Sequence, residues 1–171
     1  VWATDASQHT NKGLMSVEEA RLPTKRIAAR QGQPTLRVLY LFSGTSRKAS
    51  LADCLKDLCF PEGQGVDFWE IDIHVGGSSH DLLDKDVQED FLARLNNGEF
   101  DMVILSPPCG SWSRANWANN DGPAPCRDRF HPWGFPDNSK GQQKRASNGN
   151  EFIHFTIRAI IAVKEAKAKG H

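Results

Sequence analysis

The residues best equipped for chemistry lie in one stretch, Asp101–Trp117, which reads DMVILSPPCGSWSRANW. An apolar run delivers Ser106, two consecutive prolines and Cys109, and a polar, aromatic segment follows. The prolines stiffen the turn and remove two backbone donors. A cysteine fixed at the end of a strand is suited to act as a nucleophile. It must first become a thiolate, which a helix N-terminus or Arg114 beside it would favour. The plainer alternative is a small buried apolar cysteine. The Pro-Pro pair before Cys109 and the aromatic segment after it weigh towards chemistry.

Three other segments carry groups of interest. In Leu39–Ser50, LYLFSGTSRKAS, a strand runs into a turn of small residues, Ser43–Ser46, and a helix follows. Gly44 lets the backbone pass close to a ligand, and the helix N-terminus offers free N–H groups. No Gly-Lys-Ser/Thr follows at P-loop spacing, so this is not a phosphate cradle of that kind. In Trp69–Ile73, WEIDI, Glu70 and Asp72 both suit the two hydroxyls of a ribose. Ile71 between them is placed to pack against an adenine ring. The alternative is a pair of solvated acids at a strand end. In His80–Asp84, Asp81 is able to accept from an adenine amino group, whereas Asp84 equally suits a helix cap.

Stepping outward, the elements that must position these residues alternate between strand and helix. Leu36–Phe42, Val66–Ile73 and Asp101–Leu105 are short apolar runs of strand formers. Ala49–Leu58 has Leu51, Leu55 and Leu58 on one helical face, and Pro61–Gly65 reads as a loop. Val87, Phe91 and Leu95 mark a helix over Asp86–Asn96, closed by Asn97-Gly98. Glu151–Lys169 reads as a last helix. Its apolar side holds Phe152, Phe155, Ala159, Ile160 and Val163, widened by Ile153, Ile157 and Ile161. This order predicts an α/β fold with a parallel sheet flanked by helices. Such sheets bind ligands outside the carboxyl ends of their strands, where the three unusual segments fall. Residues 1–35 read as an extension or linker, with a short helix at Ser16–Arg21 capped by Ser16. Residues 110–149 lack periodicity, and a loop of that length is usually functional or disordered.

Composition narrows the classes. Lys plus Arg and Asp plus Glu both number 21, so a basic field over the whole chain is excluded and any grip on nucleic acid must be a local patch. No apolar run approaches the roughly 18 residues of a membrane span. Cys54, Cys59, Cys109 and Cys126 form no CxxC pair, which argues against a zinc ribbon and for an intracellular, reducing setting. Cys126 with His131 supplies only two ligands, so no metal is expected.

PPCGSWSRA resembles the PPC motif of the DNA cytosine-C5 methyltransferases. LFSGTS is similar to their first motif, Glu70-Ile71-Asp72 to their second, and Asp81-Leu82 to their third. The resemblance spans residues 36 to about 163. It implies a Rossmann-like core that binds S-adenosyl-L-methionine and acts on DNA. Cys109 would add to C6 of a cytosine flipped from the duplex. Phe42, Ser43, Gly44 and Thr45 would lie along the methionine end of the cofactor. Glu70 would hold the ribose, with Asp72 beside it at the cofactor, Ile71 and Leu82 would sandwich the adenine ring, and Asp81 would reach its amino group. Pro107 and Pro108 would form the wall shared with the base, and Ser111, Trp112, Ser113 and Arg114 would meet the substrate.

The sequence departs from the family where Ser46 and Arg47 replace further glycines, and the gap between second and third motifs is short. The Glu, Arg and target-recognition motifs that follow in the family have no counterpart before His171. Residues 36–171 are therefore expected to be the cofactor-binding part of such a domain, completed by a C-terminal half. Two rivals stand beside this expectation. One is a remnant that binds cofactor, nucleic acid or a partner without turnover. The other is an amino-group methyltransferase, against which Cys109 stands where an aromatic residue is required. In the long segment, Arg114, Arg127, Arg129, Lys140, Lys144 and Arg145 are placed to meet phosphates, and Trp112, Trp117 or Trp133 to stack on a base. A surface loop with its aromatics packed beneath it is the alternative.

Overall fold

A computed structural model describes residues 23–28, 31–45, 47–59, 63–118 and 121–170. The helix expected at Ser16–Arg21 lies outside them, as do Ser46 and Pro61. The chain is α/β, a four-stranded mixed sheet flanked by helices. Its strands are β1 (Lys25–Ile27), β2 (Thr35–Leu41), β3 (Gly65–Ile71) and β4 (Met102–Leu105). Its helices are α1 (Leu51–Cys59), α2 (Ile73–Gly76), α3 (Lys85–Asn96) and α4 (Lys140–Ala168), with single 3-10 turns at Gly77–His80 and Arg114–Trp117. Among the described residues no helix is long and apolar enough to cross a membrane.

The strand order is β1-β3-β2-β4. β2 pairs in parallel with β3 on one side and β4 on the other. The chain therefore leaves β2 in one direction and later returns past it in the other, which opens a crevice at the carboxyl ends. The expected parallel sheet holds for these three strands. β1 adds an antiparallel edge, so the sheet is mixed. Residues read as a linker thus dock on the sheet. Thr24 Oγ1 bridges β3 by donating to the Phe68 carbonyl (2.8 Å) and accepting from the Glu70 N–H (2.9 Å), and Arg26 pairs with Asp67 (2.8 Å).

The period-2 alternation of strands sorts the core into two faces. Leu39, Leu41, Trp69 and Ile71 point to α3 and α4 and meet Phe91, Leu92, Leu95, Phe155 and Ala159. Val38, Val66 and Phe68 point to α1 and meet Ala52 and Leu55. Each fully buried large side chain contributes about 1.5–3 kcal/mol. Asp84 caps α3, its carboxylate accepting from the Asp86 N–H (2.8 Å). Arg94 lies between the rings of Trp69, Phe91 and Phe100 and reaches Glu99.

Two expectations need correction. The last helix begins at Lys140, well before Glu151, so the irregular segment ends at Ser139. A capping box starts it, in which Ser139 accepts from Gln142 N–H and Gln142 accepts from Ser139 N–H. The buried side of α4 is also narrower than its apolar residues suggest. Phe155, Ala159, Ala162 and Ala166 are buried, but Ile157 and Ile161 are each 49% exposed and Ile160 is exposed as well. The small alanines let α4 lie close to α3 and the sheet, and the isoleucines are turned away from that contact.

Candidate functional site

The ends of the three parallel strands are tied together by backbone hydrogen bonds. Phe42 N–H and Ser43 N–H both donate to the Ile71 carbonyl (2.8 and 3.3 Å), and Ser106 N–H donates to Leu41 (3.2 Å). Phe42 adopts a left-handed backbone, φ 61°, which is strained for a bulky residue. Edge-on contacts of its ring with Phe152 (5.3 Å between centroids) and Phe155 (6.2 Å) hold it there. Such strain is found where surrounding structure over-determines it, commonly at ligand sites. Gly44 follows at φ 71°, and its N–H donates to one carboxylate oxygen of Asp72 (3.1 Å). The other oxygen accepts from His74 N–H (2.9 Å) and caps α2. Asp72 thus joins the turn after β2 to the turn after β3.

Beside this junction is a cavity of about 230 Å³. Phe42, Ile73, Leu82, Pro108 and Phe152 form apolar walls, and Asp72, Asp81, His74 and His80 supply its polar groups. Of the residues expected to hold a cofactor, Phe42, Asp72, Asp81 and Leu82 line it. Pro108, expected on the shared wall, also lines it, whereas Pro107 does not. Ser43, Gly44 and Thr45 form the adjoining turn. Asp81 accepts from Leu83 N–H through one oxygen (2.9 Å).

Glu70 and Ile71 are not brought to the cavity. Glu70 projects to the α1 face and pairs with Lys25 (3.5 Å), and Ile71 is enclosed in the core. β3 ends at Ile71, so the acid and the apolar residue at its carboxyl end are Asp72 and Ile73, two positions later. Sequence reading also missed His80. Its neighbour Asp81 drew attention, but nothing in the spacing marked an imidazole turned inward. Burial pushes its pKa down, with the Asp72 carboxylate pulling the other way, so the ring is neutral at pH 7.

A second, larger cavity of about 950 Å³ is lined by residues that follow Cys109 in the chain. Ser111, Trp112, Ser113 and Arg114 all line it, with Trp117, Pro125, Arg127, Asp128, Arg129 and Pro132. Arg127 is 5% exposed and clasps three segments together. Its guanidinium lies over the Trp112 ring (3.8 Å) and donates to Ser111 Oγ (3.1 Å), to the carbonyls of Pro132 and Ala146, and to Asn150 Oδ1 (2.7 Å each). Arg127, expected at the surface against phosphate, is therefore mainly a clasp. Arg145 also serves the fold by donating to the Ala124 carbonyl. Gly149 in α4 permits the approach, because a Cβ there would stand 2.1 Å from Ser111 Oγ.

Cys109 lies in the chain between Pro108 of the smaller cavity and Ser111 of the larger, lines neither, and is exposed, which removes the buried-cysteine alternative. Its carbonyl accepts from Trp112 N–H (2.9 Å) and Ser113 N–H (2.7 Å), which fixes the backbone around it. Among the cysteines whose side chains are described, the buried one is Cys126. Among the described residues no cluster of His, Cys, Asp or Glu could hold a metal ion. Comparison with known protein families, curated proteins and solved structures finds no significant match.

Proposed function

We propose that this chain is a Rossmann-like methyltransferase core that binds S-adenosyl-L-methionine and directs methyl transfer to C5 of cytosine in DNA. The observation that carries the reading is the turn bearing Cys109. In the chain it joins Pro108, which lines a carboxylate-lined cavity at the strand ends, to Ser111, which lines an arginine- and tryptophan-lined cavity large enough for a nucleotide.

The first cavity suits the cofactor by its donor set. Asp72 and Asp81 accept hydrogen bonds from hydroxyl and amino groups and favour positive charge. Among the described residues no Lys or Arg lines the cavity, so a phosphate-bearing ligand is disfavoured. Bound S-adenosyl-L-methionine supplies an electrophilic methyl group. Asp72 holds the ribose, Phe42 and Leu82 enclose the flat and apolar parts, and Pro108 forms the wall towards Cys109. In the second cavity Trp112 and Trp117 offer faces for a flipped base, and Arg114 and Arg129 meet the backbone phosphates. Cys109, as thiolate, would add to C6 as the C5=C6 π bond opens; C5 would take the methyl group with release of S-adenosylhomocysteine, and loss of the C5 proton to water with expulsion of the thiolate would restore the ring.

Calorimetric titration of the chain with S-adenosylhomocysteine tests the reading. Saturable binding is expected. Asp72→Ala should weaken it by about 1–3 kcal/mol, the range for a lost hydrogen bond to a charged group, and Glu70→Ala should leave it nearly unchanged. A folded chain that takes up no S-adenosylhomocysteine would sink the proposal. For the nucleophile, DNA containing 5-fluorocytosine should form a covalent adduct in the presence of cofactor. An adduct that survives Cys109→Ser would remove Cys109 from the mechanism.

A further inference from the structure

We infer that the nucleic acid this chain takes is an unpaired strand, and that Phe130 and Trp133 extend the larger cavity into a ledge on which bases next to the one inside it stack. The inference goes beyond the reading above in naming the state of the strand and an outer subsite. It rests on that reading only in taking the larger cavity as the nucleic-acid site.

Large aromatic rings ordinarily serve cores and interfaces, where each removes a large apolar area from water. Among the described residues the exposed ones are Trp117 (61%), Phe130 (71%) and Trp133 (56%), and all three fall in the single segment 117–133. Trp117 is in the wall of the larger cavity. Phe130 follows Arg129 and Trp133 follows Pro132, both of them wall residues. Trp133 also meets a third wall residue, Trp112, at 6.2 Å between ring centroids.

Each of these rings has a fixed neighbour and still keeps much of its surface in water. The Arg129 guanidinium lies over the Phe130 ring (4.4 Å), and the Asp128 carboxylate holds the turn by accepting from the N–H groups of Phe130 (2.9 Å) and His131 (2.7 Å). Trp133 stands near-perpendicular to Trp112 and tilts on the His154 ring (5.3 Å), while its carbonyl accepts from Asn150 Nδ2 in α4 (3.0 Å). Trp117 stands near-perpendicular to Phe135 at 6.3 Å. Rings held in place before a ligand arrives lose little freedom when it binds.

Charge and shape together name the occupant. Arg114 and Arg129 are exposed in the same wall, and the carboxylate beside them, Asp128, is engaged by backbone N–H groups. The partner must therefore bring flat faces and negative charge together, as a nucleic-acid strand does. In a duplex the base faces are covered by neighbouring pairs and only base edges reach the grooves. A duplex would give phosphates to the arginines and nothing to the rings, whereas an unpaired strand serves both. Stacking accepts any base, so the ledge adds affinity without reading sequence.

Fluorescence anisotropy of the whole chain with labelled strands of about ten nucleotides, within the usual range of single-strand site sizes, tests this. The probes are oligothymidylate, oligouridylate and a blunt DNA duplex of the same length. A single strand should bind about tenfold or more tightly than the duplex, and the tighter of the two single strands identifies DNA or RNA as the source. Phe130→Ala should weaken single-strand binding by about tenfold, in the range for one lost stack, and leave the salt slope unchanged. Phe130→Trp should retain the binding. Trp133→Ala should act in the same direction as Phe130→Ala, but Phe130 is the cleaner site because its exposed ring leaves no hole in the core. A duplex bound as tightly as either single strand, or full affinity in Phe130→Ala, overturns the inference. Single-strand binding by a chain that takes up no S-adenosylhomocysteine keeps it and removes the methyltransferase reading. A chain that takes up S-adenosylhomocysteine and binds duplex only overturns this inference alone. A chain that binds none of the three probes overturns it whatever the cofactor titration shows.

Discussion

The meaning of single residues here depends on where a strand stops. WEIDI offers acids at alternate positions, and period 2 puts Glu70 and Asp72 on one face. The pattern therefore cannot say which of them reaches the crevice. The end of β3 at Ile71 decides it, and that end is set by Asp72 capping α2 and receiving the Gly44 N–H. Phe42 and Pro108 follow strand ends and Asp81 and Leu82 follow the 3-10 turn at Gly77–His80, and the motifs that singled out all four do place them in the walls of one cavity. His80 and Arg127 acquired their roles from chain reversal and long-range packing, which leave no periodic trace. Gly149 is the clearest case of a residue whose local and tertiary preferences oppose each other. Replacing a mid-helix glycine by alanine ordinarily stabilises by roughly 1 kcal/mol. At Gly149 the new methyl would collide with Ser111 Oγ and crowd the Trp112 indole, whose Nε1–H donates to the Gly149 carbonyl (3.3 Å). Gly149→Ala should therefore destabilise, by about 1–3 kcal/mol as for other overpacked sites. Urea unfolding with an unchanged slope would read this directly, and a midpoint at or above that of the parent chain would mean the loop does not rest on the helix as described.

At the scale of elements, the strands and the first long helices were legible because their apolar residues repeat with the right period. Leu36–Phe42 and Asp101–Leu105 correspond to β2 and β4, and Asp86–Asn96 to α3, within a residue at each end. β1 was not legible, since three residues carry no alternation to detect. The first third of α4 was hidden for a different reason. Residues 140–150, KGQQKRASNGN, are polar, with two glycines and two asparagines, and have weak helix propensity and no apolar stripe. Their helix is imposed by the capping box at one end and by Arg127 holding the Ala146 carbonyl and Asn150 side chain. The signal that could have found it is Ser139 followed three residues later by Gln142. This segment supports the larger cavity from beneath, so its stability bears on the site. Ser139→Ala should cost about 1 kcal/mol, the usual loss of an N-cap. Hydrogen exchange should quicken at the amides of the first turns of α4 and leave the turns around Phe155 protected. Uniform quickening along the whole helix would show that residues 140–150 are not held as a separate first segment.

For the whole molecule, net charge says little and its distribution says more. Equal numbers of acidic and basic side chains gave a formal charge of zero and removed a global field as a means of gripping nucleic acid. The described structure nevertheless divides local charge across one turn. Among the described residues, Asp72 and Asp81 line the smaller cavity with no Lys or Arg in its walls, and Arg114, Arg127 and Arg129 line the larger one with Asp128. Asp128 is itself occupied: desolvation raises its pKa, but the N–H groups of His131 (2.7 Å) and Phe130 (2.9 Å) and the His131 ring together hold it below the usual value. Two ligands of different charge should therefore bind independently and respond differently to salt. A short single-stranded oligodeoxynucleotide should bind with an affinity that falls as salt rises, with a slope of about −0.7 for each phosphate neutralised. Arg114→Ala and Arg129→Ala, both exposed positions, should each flatten that slope and leave S-adenosylhomocysteine affinity intact. Asp72→Ala should do the reverse. S-adenosylhomocysteine carries no net charge, so its own binding should be nearly insensitive to salt. Fluorescence of Trp112 and Trp117 follows the first ligand and calorimetry the second. Oligonucleotide binding that ignores both arginines, or that is lost together with cofactor binding in Asp72→Ala, would show that the two cavities do not divide substrate and cofactor between them.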